Sequence, residues 1–327
     1  MREQNDHPDG GERVAKVIAR AGLASRREAE AWIAAGRVAV NGAVIASPAL
    51  NVTAADRIAV DGEPLPGRER TRLFLYHKPR GLLTTHADPA GRPTIFAALP
   101  KSLPRVVSVG RLDINTEGLL LLTNDGGLAR ALELPATGWL RRYRVRAHGE
   151  VQQEALDRLR DGITIDGIRY GPIEARLDRP QGSNVWLTFA IREGKNREVK
   201  NVLGHLGLAV NRLIRVSFGP FQLGELPEGA VEEVKTRTLR DQLGERIGTL
   251  AGADFAAPIV ERESARPPMS PRKEKGRPAQ ADARHSPRAP ARAPKKRRSR
   301  DSERIGQPEL ARMEKRRGRR PPRGKKR

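Results

Sequence analysis

With 327 residues the chain is long enough for about two domains, and 62 basic against 39 acidic side chains give it a formal net charge of +23. It has no cysteine, which excludes disulfides, thiolate catalysis and cysteine-ligated metal centres, and its six histidines lack HxxxH or HxH spacing, so no metal site is expected. A polar N-terminus and the lack of about 18 consecutive apolar residues point to a soluble cytoplasmic protein, with a polyanion as the first partner to consider.

Residues 1–11 are polar and read as disordered. Val14, Val17, Ile18 and Ala21 then recur at helical spacing, with Gly22 as a stop. Ser25-Arg26-Arg27-Glu28 is a capping box, because the Ser hydroxyl can accept from the Glu28 amide while the Glu28 carboxylate reaches back. It opens a second helix through Trp32 and Ile33 that ends at Gly36. Val38 and Val40 alternate into Asn41-Gly42, a dipeptide whose members tolerate positive φ in a tight hairpin. Ile58 and Val60 before Asp61-Gly62 complete a small helix–helix–strands unit over residues 12–62.

Arg20, Arg26, Arg27 and Arg37 cluster on this unit. Composition alone allows a solvated charged face; the alternative is a surface that contacts phosphates. The run Arg13-Val-Ala-Lys-Val-Ile-Ala-Arg-Ala-Gly-Leu-Ala-Ser-Arg-Arg-Glu, followed by Gly36-Arg-Val-Ala-Val-Asn-Gly42, resembles an S4 RNA-binding domain. That resemblance implies a grip on structured RNA and makes Arg20, Ser25, Arg26, Arg27, Arg37 and Asn41 candidate contacts.

Residues 63–71 read as a linker, and a second domain is expected over 72–247. Leu73–His77, Val106–Val109, Leu119–Thr123, Arg142–Ala147, Val185–Ile191 and Leu213–Phe218 read as strands. Helical spacing appears after Asn124-Asp-Gly126, across Gly149–Arg160, and near Glu198–Leu206. Strands outnumber helices without regular βαβ alternation, so the expected fold class is α+β with a largely antiparallel mixed sheet. Residues 248–327 are expected to form a disordered basic tail. From 261 to 327 the chain carries 25 basic and 8 acidic residues and no Phe, Trp or Tyr. Such a tail either solubilises the protein or anchors it to RNA without sequence preference.

The most informative stretch is Val109-Gly-Arg-Leu-Asp-Ile-Asn-Thr-Glu-Gly-Leu-Leu-Leu-Leu-Thr-Asn-Asp-Gly126. Asp113 could simply cap a turn. Asp113, Asn115, Glu117 and Gly118 mimic the first half of a calcium loop, but the twelfth position is Asn124 rather than Glu and a leucine run intervenes. Ordinary glycoside hydrolysis needs two carboxylates, and spacing alone supplies no partner for Asp113. A glycosyl reaction that uses a single carboxylate remains open.

Gly110-Arg-Leu-Asp113 with Thr116-x-Gly118 and the leucine run resembles the ribosomal RNA pseudouridine synthases that carry an N-terminal S4 domain. Arg142-Tyr143-Arg-Val and Arg192-Glu-Gly-Lys-Asn-Arg-Glu-Val-Lys200 follow in family order, as do Leu213–Pro220 and Leu223–Gly229. Glu198 stands where Gln is usual, and Lys200-Asn201 replaces a commoner basic pair. The resemblance implies a cofactor-free isomerase that detaches uracil from ribose, rotates it and reattaches it through carbon 5. It makes Asp113 the catalytic carboxylate, acting first at the sugar or at the base. Lys200 is its cationic partner, favouring the charged carboxylate, and Tyr143 stacks on the target base.

A uridine held in a helix has to be flipped out to reach such a site. Arg111 is a candidate to hold its phosphate or fill the gap, and Lys195, Asn196 and Arg197 are candidates for nearby backbone contacts. The likeness is nearest to the large-subunit members, so the expected partner is 23S rRNA or a ribosomal assembly intermediate, with the protein acting as a monomer. The alternatives are a 16S rRNA synthase and a non-catalytic RNA-binding assembly factor. A zinc nucleobase deaminase is excluded by the missing cysteines.

Overall fold

The computed structural model describes residues 11–259. The disorder expected for residues 1–10 and beyond 259 lies outside the described residues. Among the described residues, no helix is long and apolar enough to cross a membrane.

The N-terminal unit forms as its sequence dictates. Helices Val14–Arg20 and Arg26–Ala34 pack Val14, Ile18, Ala29 and Ile33 against Val38 and Val60. The capping box is complete, with Ser25 Oγ accepting from Glu28 N at 3.2 Å and Glu28 Oε2 accepting from Ser25 N at 2.6 Å. Asn41 (φ 53°) and Gly42 (φ 84°) make the first hairpin turn, and Asp61 (φ 53°) and Gly62 (φ 84°) repeat it. The second turn carries the small sheet on into Glu63–Pro64, which pairs with Ile58–Val60. The expected linker therefore begins as a strand.

The larger domain is built on one mixed sheet. Its strand order is Ile173–Gln181, Asn184–Ile191, Arg141–His148, Ala209–Phe218, Thr116–Thr123, Leu73–Lys78 and Val231–Glu233, with short strands Phe221–Gln222 and Val107–Ser108 paired to Ala209–Phe218 and Thr116–Thr123 respectively. All neighbours on this path are antiparallel except Ala209–Phe218 beside Thr116–Thr123. At that parallel junction Leu213, Ile214 and Arg215 face Thr116, Glu117 and Gly118. Gly118 has φ 101°, and a Cβ there would lie 2.3 Å from the Arg215 carbonyl oxygen. The Thr116-x-Gly118 spacing thus lets the two halves of the sheet meet immediately after Asp113.

Two cores lie on opposite faces of the sheet. Leu120 and Leu122 join Tyr143, Val145, Leu187, Phe189 and Leu203 on one face. Leu119 and Leu121 join Leu128 and Leu132 of helix Gly126–Glu133 on the other. The leucine run is therefore a strand buried on both sides.

Helix Thr236–Ala251, bent at Gly244 (φ 65°), packs Leu239, Leu243, Ile247 and Ala251 onto this second core. The tail boundary expected at 248 falls inside this helix. The chain then runs back along the interdomain segment, where Thr71 N donates to Asp254 O (2.7 Å) and Arg70 N to Pro258 O (3.0 Å). These hydrogen bonds make residues 248–259 part of the folded body. The same segment is held at buried Asp125, whose carboxylate accepts from Arg68 and from Thr71 Oγ1, each at 2.8 Å.

Candidate active site

Asp113 sits on a loop that the sheet holds firmly. The loop turns at Gly110 (φ 67°), buries Leu112, and closes with Thr116 N donating to Asp113 O at 3.0 Å. The Lys78-Pro79-Arg80-Gly81 turn braces it from beneath: Gly81 N donates to Ile114 O (2.8 Å), and Lys78 Nζ donates to Thr116 O (3.0 Å) and Pro79 O (2.9 Å). Thr84 Oγ1 donates to Leu112 O at 2.9 Å. Lys78 is fully buried, and burial lowers its pKa to about 8 although the charges of Asp113 and Glu117 act the other way. The Asp113 side chain itself is 38% exposed.

Two cations face it from helix Glu198–His205 and the residue before it. Lys200 Nζ lies 3.5 Å from Asp113 Oδ2, and Arg197 Nε lies 4.0 Å from the same oxygen. A partly exposed ion pair of this kind contributes only about 0–1 kcal/mol to stability.

The segment that presents these cations is itself anchored. Arg141, almost buried, donates to the carbonyl oxygens of Arg192 and Glu193. Glu198 Oε2 accepts from Lys195 N at 2.9 Å, and Arg197 adopts a left-handed conformation (φ 51°) that starts the helix. Burial raises the Glu198 pKa to about 7, and its Oε1 has no hydrogen-bond partner.

Tyr143 lies on the same face of the sheet as this loop. It opposes Phe189 and Arg215 on the neighbouring strands and belongs to the same buried cluster as Leu112, Val199 and Leu213. The structure thus brings Asp113, Lys200 and Arg197 into contact range, while Tyr143 is packed into the buried cluster that includes Leu112 and Val199.

The other candidate residues divide by what they touch. Arg26, Arg27 and Arg111 are exposed. Arg20 turns inward, donating to Glu12 (2.9 Å) and lying 3.9 Å from Asp125. Arg37 grips Asp61 through two nitrogens and stacks over Trp32. Ser25 is the helix cap. Asn41 holds a turn, with Nδ2 donating to Asp56 (2.8 Å) and Oδ1 accepting from Arg57 N. Each of these four has a structural task that accounts for its identity without RNA. Lys195 is exposed and paired with Glu193 at 2.8 Å, and the Asn196 carbonyl accepts from Asn201.

Sequence reasoning missed Lys78, Thr84 and Arg141. Lys78 was legible only as the end of a strand before proline, and its burial depends on the distant Asp113 loop. Arg141 directly precedes the alternating run, and its burial follows from the same period of two: it falls on the face of Tyr143 and Val145.

Residues 12–58 match the S4 domain family and residues 72–205 the RNA pseudouridylate synthase family. An uncharacterised RNA pseudouridine synthase of Rickettsia prowazekii is 44% identical over 71% of this chain and 97% of its own. The ribosomal large subunit pseudouridine synthase B of Pseudomonas aeruginosa is 42% identical over 89% of this chain and 80% of its own. The protein of that name from Haemophilus influenzae is 37% identical over 83% and 77%. The chain belongs to the RNA pseudouridine synthases with an N-terminal S4 domain, and these enzymes are isomerases.

Proposed function

We propose that the protein isomerises a specific uridine of 23S rRNA to pseudouridine, with Asp113 as the carboxylate that acts on a flipped-out nucleotide. The observation that carries this reading is the partly exposed Asp113 carboxylate, faced by Lys200 at 3.5 Å and Arg197 at 4.0 Å. The two relatives named for the large ribosomal subunit support the choice of RNA.

The reaction breaks the bond between N1 and the ribose C1′ and forms one between C5 and C1′. N1 regains a proton and C5 loses one, so atoms and electrons balance with no redox partner. Asp113 drives the cleavage, attacking or deprotonating the sugar or adding to the base. Lys200 and Arg197 hold the carboxylate in place from one side. Tyr143 stacks against the uracil while it rotates. Flipping costs a few kcal/mol of unstacking, and exposed Arg111, two residues before Asp113, compensates by binding the nucleotide's phosphate. Arg26 and Arg27 contribute non-specific backbone contacts from the S4 domain.

The test is pseudouridine mapping on total rRNA from cells that lack the protein. Wild-type gene should restore a single 23S position that Asp113→Asn does not. Restoration of a 16S position would overturn the target, and no dependent position in any rRNA would overturn the reading.

A further inference from the structure

The strand that carries Tyr143 has a second chemistry on its other side. Tyr143, Val145 and Ala147 face the core beneath the active site, so Arg142, Arg144 and Arg146 project from the opposite face. Alternate residues of a strand are about 6.8 Å apart, which sets the three arginines in a regular line. Helices Gly126–Glu133 and Thr236–Ala251 cover only the other half of this far side. Over the Arg141–His148, Asn184–Ile191 and Ile173–Gln181 strands it is exposed or half-exposed except at Ala190, which is buried between Arg142 and Glu174.

The register extends the basic line into a patch. Arg144 and Arg176 both oppose Thr188, Arg146 and Arg179 both oppose Trp186, and Arg146 also opposes Arg212. Four acids lie among or beside them. Asp178 is engaged by Arg176 (3.0 Å) and Thr188, Glu117 by Arg212 (2.8 Å), Glu228 lies close enough to act on Arg212 by its charge, and Glu174 stands at the far end. The Arg144 guanidinium stacks 4.9 Å from the centre of the Trp186 ring, and Arg146 Nε is buried without a hydrogen-bond partner.

We infer that this open sheet face is a second RNA-binding surface, which holds a backbone segment of the substrate remote from the target nucleotide. The inference rests on the reading above that the substrate is a large RNA. Charge complementarity selects the occupant. Guanidinium groups match phosphate oxygens as forks, and the stacked Arg144–Trp186 pair offers a flat platform to a base. The C-terminal segment of the chain itself, with 25 basic and 8 acidic residues, has the wrong charge to cover a basic face. Because the arginines and Tyr143 leave one strand in opposite directions, an RNA has to be long enough to pass around the sheet edge to engage both.

The test uses the full chain and direct binding, so it reads out independently of pseudouridine formation. Affinity for a full 23S rRNA transcript and for a short RNA hairpin is measured across a salt series, for wild type and for Arg144→Gln/Arg146→Gln/Arg176→Gln. A second variant, Arg176→Gln/Arg179→Gln on the outer strand, guards against a folding defect. On the transcript, the slope of log affinity against log salt should fall by about 3 for the triple variant and by about 2 for the double. On the hairpin all three proteins should coincide. Equal slopes on the transcript would overturn the inference, as would an equal loss on the hairpin. If wild type made no pseudouridine but the slopes still differed, the catalytic reading would fail and this surface would stand.

Discussion

Lys200 Nζ reaches to 3.5 Å from Asp113 Oδ2 although 87 residues of chain separate the two. The pair exists because a parallel junction at Gly118 joins the strand that follows Asp113 to the strand that follows the Lys200 helix. The same geometry that closes the sheet therefore assembles the site.

Removing this cation should affect turnover rather than folding. Lys200→Met is expected to lower kcat by about 100-fold or more, in the range seen when one charge-stabilising group is lost. Stability should change by less than about 1 kcal/mol because the pair is partly exposed. Lys200→Arg should recover part of the rate. Single-turnover kinetics and thermal melts on the same variants check this, and an unaltered kcat in Lys200→Met would remove its catalytic role.

Glu198 predicts a pH-dependent gain. Its pKa is raised by burial from 4.5 to about 7, so the folded protein binds a proton that the unfolded chain has released between those values. Stability therefore declines as pH rises from 4.5 to about 7, and the loss is complete above that. Glu198→Gln keeps the acceptor for Lys195 N and removes the charge. It should match wild type near pH 4.5 and exceed it by up to about 3 kcal/mol at pH 8. Denaturant unfolding at the two pH values checks this, and an equal difference at both would contradict it.

Lys78 predicts the complementary behaviour at alkaline pH. With its pKa lowered by burial from 10.5 to about 8, the unfolded chain binds the extra proton between those values. Wild type should therefore gain stability as pH rises from about 8 to 10.5, by up to about 3 kcal/mol. Lys78→Met should lack this gain. It should also be less stable than wild type at pH 7, because the carbonyls of Thr116 and Pro79 lose their donor. The difference between the two stability curves across this range is the measurement, and parallel curves would refute the assignment.

Much of this was legible before the fold was known, for reasons specific to each element. Alternation located the Arg141–His148 and Asn184–Ile191 strands, and the Ser25 capping box and the Asn41-Gly42 turn are local chemistry that needs no tertiary context. Asp113 was marked by its motif. The helix Thr236–Ala251 was hidden although Leu239, Leu243, Ile247 and Ala251 recur every four residues, because Gly244 and Gly248 break its propensity and packing on Leu119 and Leu121 restores it. Arg37 looked like a free basic residue, since its acidic partner, Asp61, is remote in sequence, and Arg20 did so because its pairing with Glu12 reaches outside the helix that carries it. Glu198 stood out in sequence only as a departure from the usual Gln; its burial came from the fold.

The central claim is that Asp113 performs the isomerisation. The most direct measurement is release of tritium from 23S rRNA labelled at uracil carbon 5, by purified wild type and Asp113→Asn at matched RNA occupancy. Wild type should release one equivalent per target site, and Asp113→Asn should bind with unchanged affinity and release none. Release by Asp113→Asn at the wild-type rate would contradict the account.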